Sequence, residues 1–141
     1  MDQFQSYLPP FEGLLPKWLV LVSVISAANS AQAYVSEAYT AQLYNGRFAD
    51  GRPHTNAHSS RLFGTWTFLS AVIRFTAAYN MTNPVAYNLA AATFGIALLH
   101  FVGEWLVFGS AQLKGRFVSP LIVASGSLAW LLTQREAYLA L

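Results

Sequence analysis

Residues 100–105, with the sequence HFVGEW, place two side chains capable of chemistry in an otherwise apolar segment. His100 and Glu104 are four residues apart, so on a helix they share one face. Such a pair could hold a metal ion, transfer a proton or bind a neighbouring arginine. Which of these it does depends on whether water or lipid surrounds the helix.

The distribution of charge predicts an integral membrane protein. Only 10% of the 141 residues are charged, whereas a soluble domain has roughly 25%. No charged residue occurs at 18–36, 75–103 or 117–134. A helix needs about 20 apolar residues to cross a bilayer, and a soluble core of this small size could not bury several such segments.

The predicted fold class is all-α: one four-helix membrane bundle over residues 1–141, with spans at about 14–35, 61–79, 84–108 and 117–134. Residues 36–60 are predicted to form a longer polar loop, because they contain the turn formers Asn45-Gly46 and Asp50-Gly51. The second span contains Arg74, yet an even number of spans fits the tight turn at 80–84. Residues 1–13 are predicted to be a loose or interfacial tail.

The basic residues predict an orientation in the membrane. Those in or beside the first and third loops outnumber those on the other side by five to three. The first group is Arg47, Arg52, Arg61, Lys114 and Arg116, and the second is Lys17, Arg74 and Arg135. Because cytoplasmic loops carry an excess of Lys and Arg, loops 1 and 3 are predicted to face the cytosol.

Several classes of function have no support in the residues. The chain has no cysteine, so thiolate metal sites and disulfides are excluded. None of the nine glycines is spaced as a dinucleotide fingerprint or a phosphate loop. A net charge of +2, scattered along the chain, does not indicate nucleic acid as a partner. We therefore predict no bound cofactor and no nucleic acid.

Depth in the membrane decides which charges can pair. Arg74 precedes the turn at Asn80 by six residues and Glu104 follows Pro84 by twenty. At 1.5 Å per residue they lie roughly 9 Å and 30 Å from the same face, too far apart to touch. Arg61 shares the depth of Glu104, so these two are predicted to pair.

Two further contacts are predicted from the same depths. Arg74 is expected to contact Ser23 on span 1 or the ring of Trp130 on span 4. His100 is expected near Gly64, where the missing side chain lets helices approach closely.

Three roles stay open for His100 and Glu104. A structural latch near the cytosolic surface is favoured, proton transfer is the second interpretation, and metal binding is the third. A metal site needs three or four ligands, and the other two histidines, His54 and His58, lie in a polar loop where they are predicted to be solvated.

Several stretches together resemble the ergosterol biosynthetic protein 28 family of endoplasmic-reticulum membrane proteins. They are LPKWL at 15–19, Asn29-Ser30 with Gln32 and Tyr34, RLFGTWT at 61–67, VIRF at 72–75, His100-Phe101 with Glu104, SPL at 119–121, VAS at 123–125 and QRE at 134–136 with Tyr138. The combination of RxFGTWT, IRF and HFxxE is specific, and Trp130 with the QRE tail resembles fungal members. The resemblance covers about residues 15–138.

The resemblance implies a non-enzymatic scaffold of sterol synthesis in the endoplasmic-reticulum membrane. Its implied partners are the sterol C-4 methyl oxidase, the decarboxylating C-3 sterol dehydrogenase and the 3-keto-sterol reductase; some members also contact the sterol C-24 methyltransferase. The candidate structural or interaction residues are Arg61, Arg74, His100, Glu104, Trp66, Asn29 and Gln32. The chain has neither the histidine clusters of the oxidase nor the cofactor loops of the reductases.

Two rival classes of function remain. An intramembrane sterol isomerase would use His100 and Glu104 for proton transfer and Trp66 or Trp105 against a carbocation. A small lipid-binding or transport protein is the other alternative. An isomerase acts on sterol without partners, whereas a scaffold has no effect until the enzymes are present.

Overall fold

The computed structural model describes residues 6–141, and its regular structure is helical. The helices are α1 (Leu15–Val35), α2 (Ala38–Leu43), α3 (Ala57–Ala78), α4 (Pro84–Leu106) and α5 (Val118–Leu139), with a short 3₁₀ turn, Gly115–Phe117, directly before α5. The described residues form no strand, so the all-α prediction is confirmed for them. Residues 1–5 of the predicted tail lie outside the described residues.

Local sequence signals explain where the long helices begin. Pro16 lies in the first turn of α1, where its missing N–H group is not needed. At the start of α3 the side chains and backbones of Asn56 and Ser59 satisfy each other in a capping box. The side chain of Asn83 accepts from two backbone N–H groups in the first turn of α4.

Within the described residues, three helical segments are long and apolar enough to cross a membrane. They are Leu15–Val35, Pro84–Leu106 and Gly115–Leu139. The remaining long helix, α3, has 22 residues but is less apolar, because it carries two arginines and several hydroxyl side chains. Length and composition therefore support three of the four predicted spans.

The segment predicted as one long polar loop is partly helical. It contains α2, and α3 begins at Ala57 rather than near Arg61. The Thr40 hydroxyl in α2 and the Ser60 hydroxyl in α3 lie 3.0 Å apart, so α2 is hydrogen-bonded to the start of α3. The turn formers Asn45-Gly46 and Asp50-Gly51 lie in the non-helical segment 44–56.

Small side chains let α1 and α3 pack closely along their lengths. A Cβ atom added at Gly64 would lie 3.0 Å from the carbonyl oxygen of Ser30 and 3.0 Å from the ring of Tyr34. The buried Ser60 hydroxyl donates to the carbonyl of Ala33 at 2.7 Å. This is the close approach that small residues permit between membrane helices, and it directs the Gly64 face toward α1.

The second closely packed pair is α4 with α5, and α3 contacts α4 to join the two pairs. The buried Tyr87 hydroxyl donates to the carbonyl of Leu131 on α5. The part of the tail that the structure describes is not loose, because the Tyr138 hydroxyl donates to the carbonyl of Glu12 at 2.8 Å. The tail therefore packs on the end of the bundle where α5 ends.

Candidate functional site

His100 is surrounded by aromatic side chains from three parts of the chain. Its Nε2 lies 2.6 Å from the hydroxyl of Tyr44, which follows α2. The Trp66 ring centroid is 5.0 Å from that of the imidazole, and the Phe101 centroid is 5.2 Å away. Trp66 lies near the middle of α3.

The tautomer of His100 follows from its two neighbours. Nδ1 lies 4.0 Å from Oε1 of Glu104, so the ring proton belongs on Nδ1, facing the carboxylate. Burial, with the nearby Glu104 charge adding to it, raises the pKa of Tyr44 above its ordinary value, so Tyr44 keeps its proton. Tyr44 therefore donates to Nε2. The Ser110 hydroxyl donates to Oε2 of Glu104.

These groups border a cavity of about 420 Å³ that is open on one side. His54 and Thr55 from the segment before α3 also line it. The Thr55 hydroxyl is buried and has no hydrogen-bond partner among the described residues. His54 was predicted to be solvated, but it is half-buried and stacks on Phe48 with ring centroids 4.0 Å apart. His58 is exposed, as expected.

The predicted pair of Arg61 with Glu104 does not form. Within residues 6–141 the ion pair between charged side chains is Arg52 with Asp50, and Glu104 instead faces the neutral imidazole of His100. Arg61 is exposed, because the Gly64 face of α3 packs on α1 and not on α4. For the same reason His100 contacts Trp66 rather than Gly64. Equal depth was not enough to bring Arg61 and Glu104 together.

Arg74 is buried, but its partners differ from those predicted. Its Nε donates to the Thr93 hydroxyl at 2.9 Å, and its guanidinium carbon lies 3.9 Å from the centroid of the Phe94 ring. Neither Ser23 nor Trp130 binds it. Ser23 donates instead to a carbonyl within its own helix. The antiparallel turn brings Thr93 of α4 level with Arg74 of α3.

The remaining candidates from α1 lie in different surroundings. The Asn29 side chain donates to the Tyr39 hydroxyl of α2 at 3.3 Å. The Gln32 side chain is exposed, and its backbone carbonyl accepts from the N–H of Ser36 at the end of α1. Asn29 thus joins α1 to α2, whereas Gln32 faces away from the bundle.

Tyr44 and Ser110 belong to a folded cap that the sequence did not reveal. The cap consists of residues 44–56 and 107–114, and Asn45 joins its two halves. The Asn45 side chain donates to the carbonyls of Gln112 at 3.2 Å and Lys114 at 3.1 Å, and accepts from the N–H of Gln112. The Gly46 N–H donates to the carbonyl of Ser110 at 2.8 Å.

The chemistry available to the cluster is narrow. Within residues 6–141, no group of three or more His, Asp and Glu side chains is placed to hold a metal ion. The Tyr44 hydroxyl is hydrogen-bonded to His100, whose imidazole could exchange a proton, whereas Glu104 at 4.0 Å is beyond hydrogen-bond distance from the ring. The same contacts also fasten the cap to α4. No sequence pattern indicated Tyr44, because its position depends on α2 folding back over the bundle.

Comparison with known proteins identifies relatives over nearly the whole chain. The model of a family described as "Erg28 like protein" matches residues 15–129. "Ergosterol biosynthetic protein 28" of Candida albicans is 40% identical over 140 residues, which cover 98% of each chain. The protein of the same name in Saccharomyces cerevisiae is 41% identical over 129 residues, or 90% of this chain and 84% of the relative.

A mammalian relative is also similar. "Ergosterol biosynthetic protein 28 homolog" of Homo sapiens is 37% identical over 123 residues, covering 86% of this chain and 85% of the relative. No solved structure matches the chain. The resemblance drawn from the sequence motifs is confirmed.

Proposed function

Because the chain belongs to the Erg28 like protein family, we propose that it is a non-catalytic membrane scaffold of ergosterol biosynthesis. The names of its fungal relatives support the pathway. The proposed partners are the sterol C-4 methyl oxidase, the decarboxylating C-3 sterol dehydrogenase and the 3-keto-sterol reductase, with the sterol C-24 methyltransferase as a further one. Tethering these enzymes would raise the local concentration at which each meets its neighbour's product.

The observation that carries the proposal is that the polar cluster joins the cap to α4. Tyr44 and Ser110 belong to the cap, and they hydrogen-bond to His100 and Glu104 of α4. Asn45 joins the two halves of the cap to each other. Groups that an enzyme would turn toward substrate are thus bonded to one another. Their effect is to hold a polar surface in a fixed shape at one end of the bundle.

The surface of the cap end suits contact with other proteins at the membrane face. All five basic residues predicted to be cytosolic are exposed there: Arg47, Arg52, Arg61, Lys114 and Arg116. Our proposal places this end in the cytosol and the chain in the endoplasmic reticulum with four spans. For α3, a length of 22 residues gives about 33 Å, enough to cross a bilayer core. Its Arg74 is buried rather than exposed to lipid.

The test is recovery of the enzymes with a tagged chain after purification in mild detergent. Asn45→Ala removes the side chain that joins the two halves of the cap, so the recovered oxidase, dehydrogenase and reductase should fall relative to wild type. Asn88→Ala is the matched control, because Asn88 accepts from Arg135 at the opposite end of the bundle. Equal recovery with both variants, or no recovery with wild type, would contradict the proposal.

A second candidate function, the intramembrane sterol isomerase, is favoured by one observation. The cluster of Tyr44, His100 and Glu104 borders a cavity of about 420 Å³, which offers room beside an imidazole that could exchange protons. His100→Gln separates the two functions, because glutamine keeps a hydrogen-bonding side chain and cannot act as an acid or base near neutral pH. A scaffold should keep its sterol flux in this variant. Loss of flux while the enzymes still co-purify would favour the isomerase.

A further inference from the structure

A second cavity, of about 200 Å³, lies in the middle of the bundle. Residues from all five helices line it, among them Trp18 of α1 and Trp66 of α3. One apolar cluster that includes Val22 and Phe94 borders it on one side, and another that includes Ala97 and Phe101 borders it on the other. The cavity therefore separates the two parts of the hydrophobic core.

Arg74 lines this cavity and carries a charge whose partners, the Thr93 hydroxyl and the face of the Phe94 ring, are both neutral. It is only 7% exposed. Its Nε binds the Thr93 hydroxyl, but its two terminal nitrogens donate to no group among residues 6–141. No carboxylate in that part of the chain forms an ion pair with it. A buried charge without a counter-charge is strongly unfavourable, so an anion in the cavity would relieve a cost that the folded chain already carries.

The cavity can be reached from the side of the bundle that faces lipid. α1 and α5 touch at Trp18, which donates to the Ser127 hydroxyl at 2.8 Å and packs on Trp130, but their backbones make no extended contact. Ile25 of α1 lines the cavity and is 51% exposed, so it lies at the opening. A ligand would therefore enter from the bilayer, between α1 and α5.

The volume limits what can enter. A cavity of about 150 Å³ accommodates a molecule the size of benzene, so 200 Å³ holds a small head group with its adjoining carbons. A four-ring sterol nucleus is several times larger than benzene and does not fit inside. The body of a larger ligand must stay between α1 and α5. Within the cavity, Ser70 and Thr67 add hydroxyl groups near Arg74.

We infer that this cavity binds the carboxylate of a membrane-dissolved carboxylic acid, with Arg74 as the anion partner and the apolar body of the acid between α1 and α5. Arg is suited to this role because its planar guanidinium binds both oxygens of a carboxylate. The carboxylate could belong to an acyl chain or to a steroid acid. The inference does not depend on the scaffold role, since it rests on Arg74 and the cavity alone.

The experiment measures saturable binding of radiolabelled palmitate to the full chain in phosphatidylcholine nanodiscs. Unlabelled palmitate should displace the label, whereas cetyl alcohol, which has the same chain without the charge, should be at least about tenfold weaker, as expected for loss of charge-assisted hydrogen bonds. A steroid carboxylic acid is tested as a second competitor. If it displaces more strongly than palmitate, the acid is a steroid; if less, it is an acyl chain.

Variants test whether the binding site is this cavity. Arg74→Gln should weaken palmitate binding about tenfold or more, and the matched control Arg135→Gln should leave it unchanged. Because Arg74→Gln could fail to fold, Ala124→Leu provides a second route: it fills the cavity while Arg74 is retained, and should also abolish binding. Its control is Ala129→Leu, at an exposed position of the same helix.

The results that would overturn the inference are distinct from any failure of the scaffold. They are an absence of saturable binding, equal binding of the acid and the alcohol, or retention of full binding in Ala124→Leu. None of these outcomes depends on whether the sterol enzymes co-purify with the chain.

Discussion

The contact between α1 and α3 at Gly64 gives a quantitative prediction for Gly64→Ala. The added Cβ would lie 3.0 Å from the Ser30 carbonyl oxygen and 3.0 and 3.2 Å from two atoms of the Tyr34 ring. Tyr34 is exposed and can rotate, although it would lose its hydrogen bond with Thr65. The carbonyl belongs to the helix backbone, so α1 itself must shift. Overpacking of this kind costs about 1–3 kcal/mol.

A second glycine supplies the control. Gly126 lies in α5, and a Cβ added there meets nothing within 4 Å. Both substitutions gain about 1 kcal/mol of helix propensity, so the difference between the two variants isolates the clash. Gly126→Ala should therefore be more stable than Gly64→Ala by about 1–3 kcal/mol.

The assay is unfolding of the purified protein from mild detergent into a denaturing detergent, followed by helical circular dichroism. Gly64→Ala should unfold at the lower fraction of denaturing detergent, and Gly64→Val at a still lower one. If Gly64→Ala and Gly126→Ala unfold together, the close approach of α1 and α3 at Gly64 is not what the structure describes.

Two further predictions concern the charged and titratable groups near the cap. Because Arg61 and Glu104 are not paired, the changes that Arg61→Met and Glu104→Gln cause in the free energy of unfolding should add to within about 0.5 kcal/mol. A coupling energy well above that value would show that the two side chains do pair. Burial raises the pKa of Tyr44 above 10.0, so the folded state holds this proton more tightly than the unfolded state. The resulting stability is complete below pH 10.0 and is lost as the pH rises through the folded pKa. Above pH 10.0 the Tyr44→Phe variant should lose less stability than the wild type. A pH profile that is the same in both proteins would contradict the burial of Tyr44.

The course of the helices could be predicted because the signals are local. Long gaps between charges located the apolar segments, Pro16 indicated the first turn of α1, and the turn at 80–84 separated α3 from α4. The start of α3 was set too late, since the capping box at Asn56 lies among polar residues that indicated a loop. The same polar composition concealed α2.

The contacts between helices were less predictable, because depth gives only one coordinate. Depth correctly separated Arg74 from Glu104 and is consistent with Thr93 as the partner of Arg74. Rotation of each helix about its axis decides which residues at one depth face each other. In α3 the face that contains Gly64 packs against α1. That rotation leaves Arg61 exposed.

The cap lay beyond sequence reasoning altogether. Its hydrogen bonds join Asn45 to residues more than sixty positions away, and neither half has a periodic pattern that would indicate the other. The environments of His100 and Glu104 therefore followed from the structure alone, because Tyr44 binds the first and Ser110 the second.

The central claim, that the chain tethers enzymes without doing chemistry, is tested most directly by reconstitution in proteoliposomes. The oxidase, the dehydrogenase and the reductase are inserted at low density with or without the purified chain, and the rate of the complete C-4 demethylation is measured. The chain should accelerate the complete sequence and leave each enzyme's rate on its own substrate unchanged. Conversion of sterol by the chain alone, or no acceleration at any enzyme density, would contradict the claim.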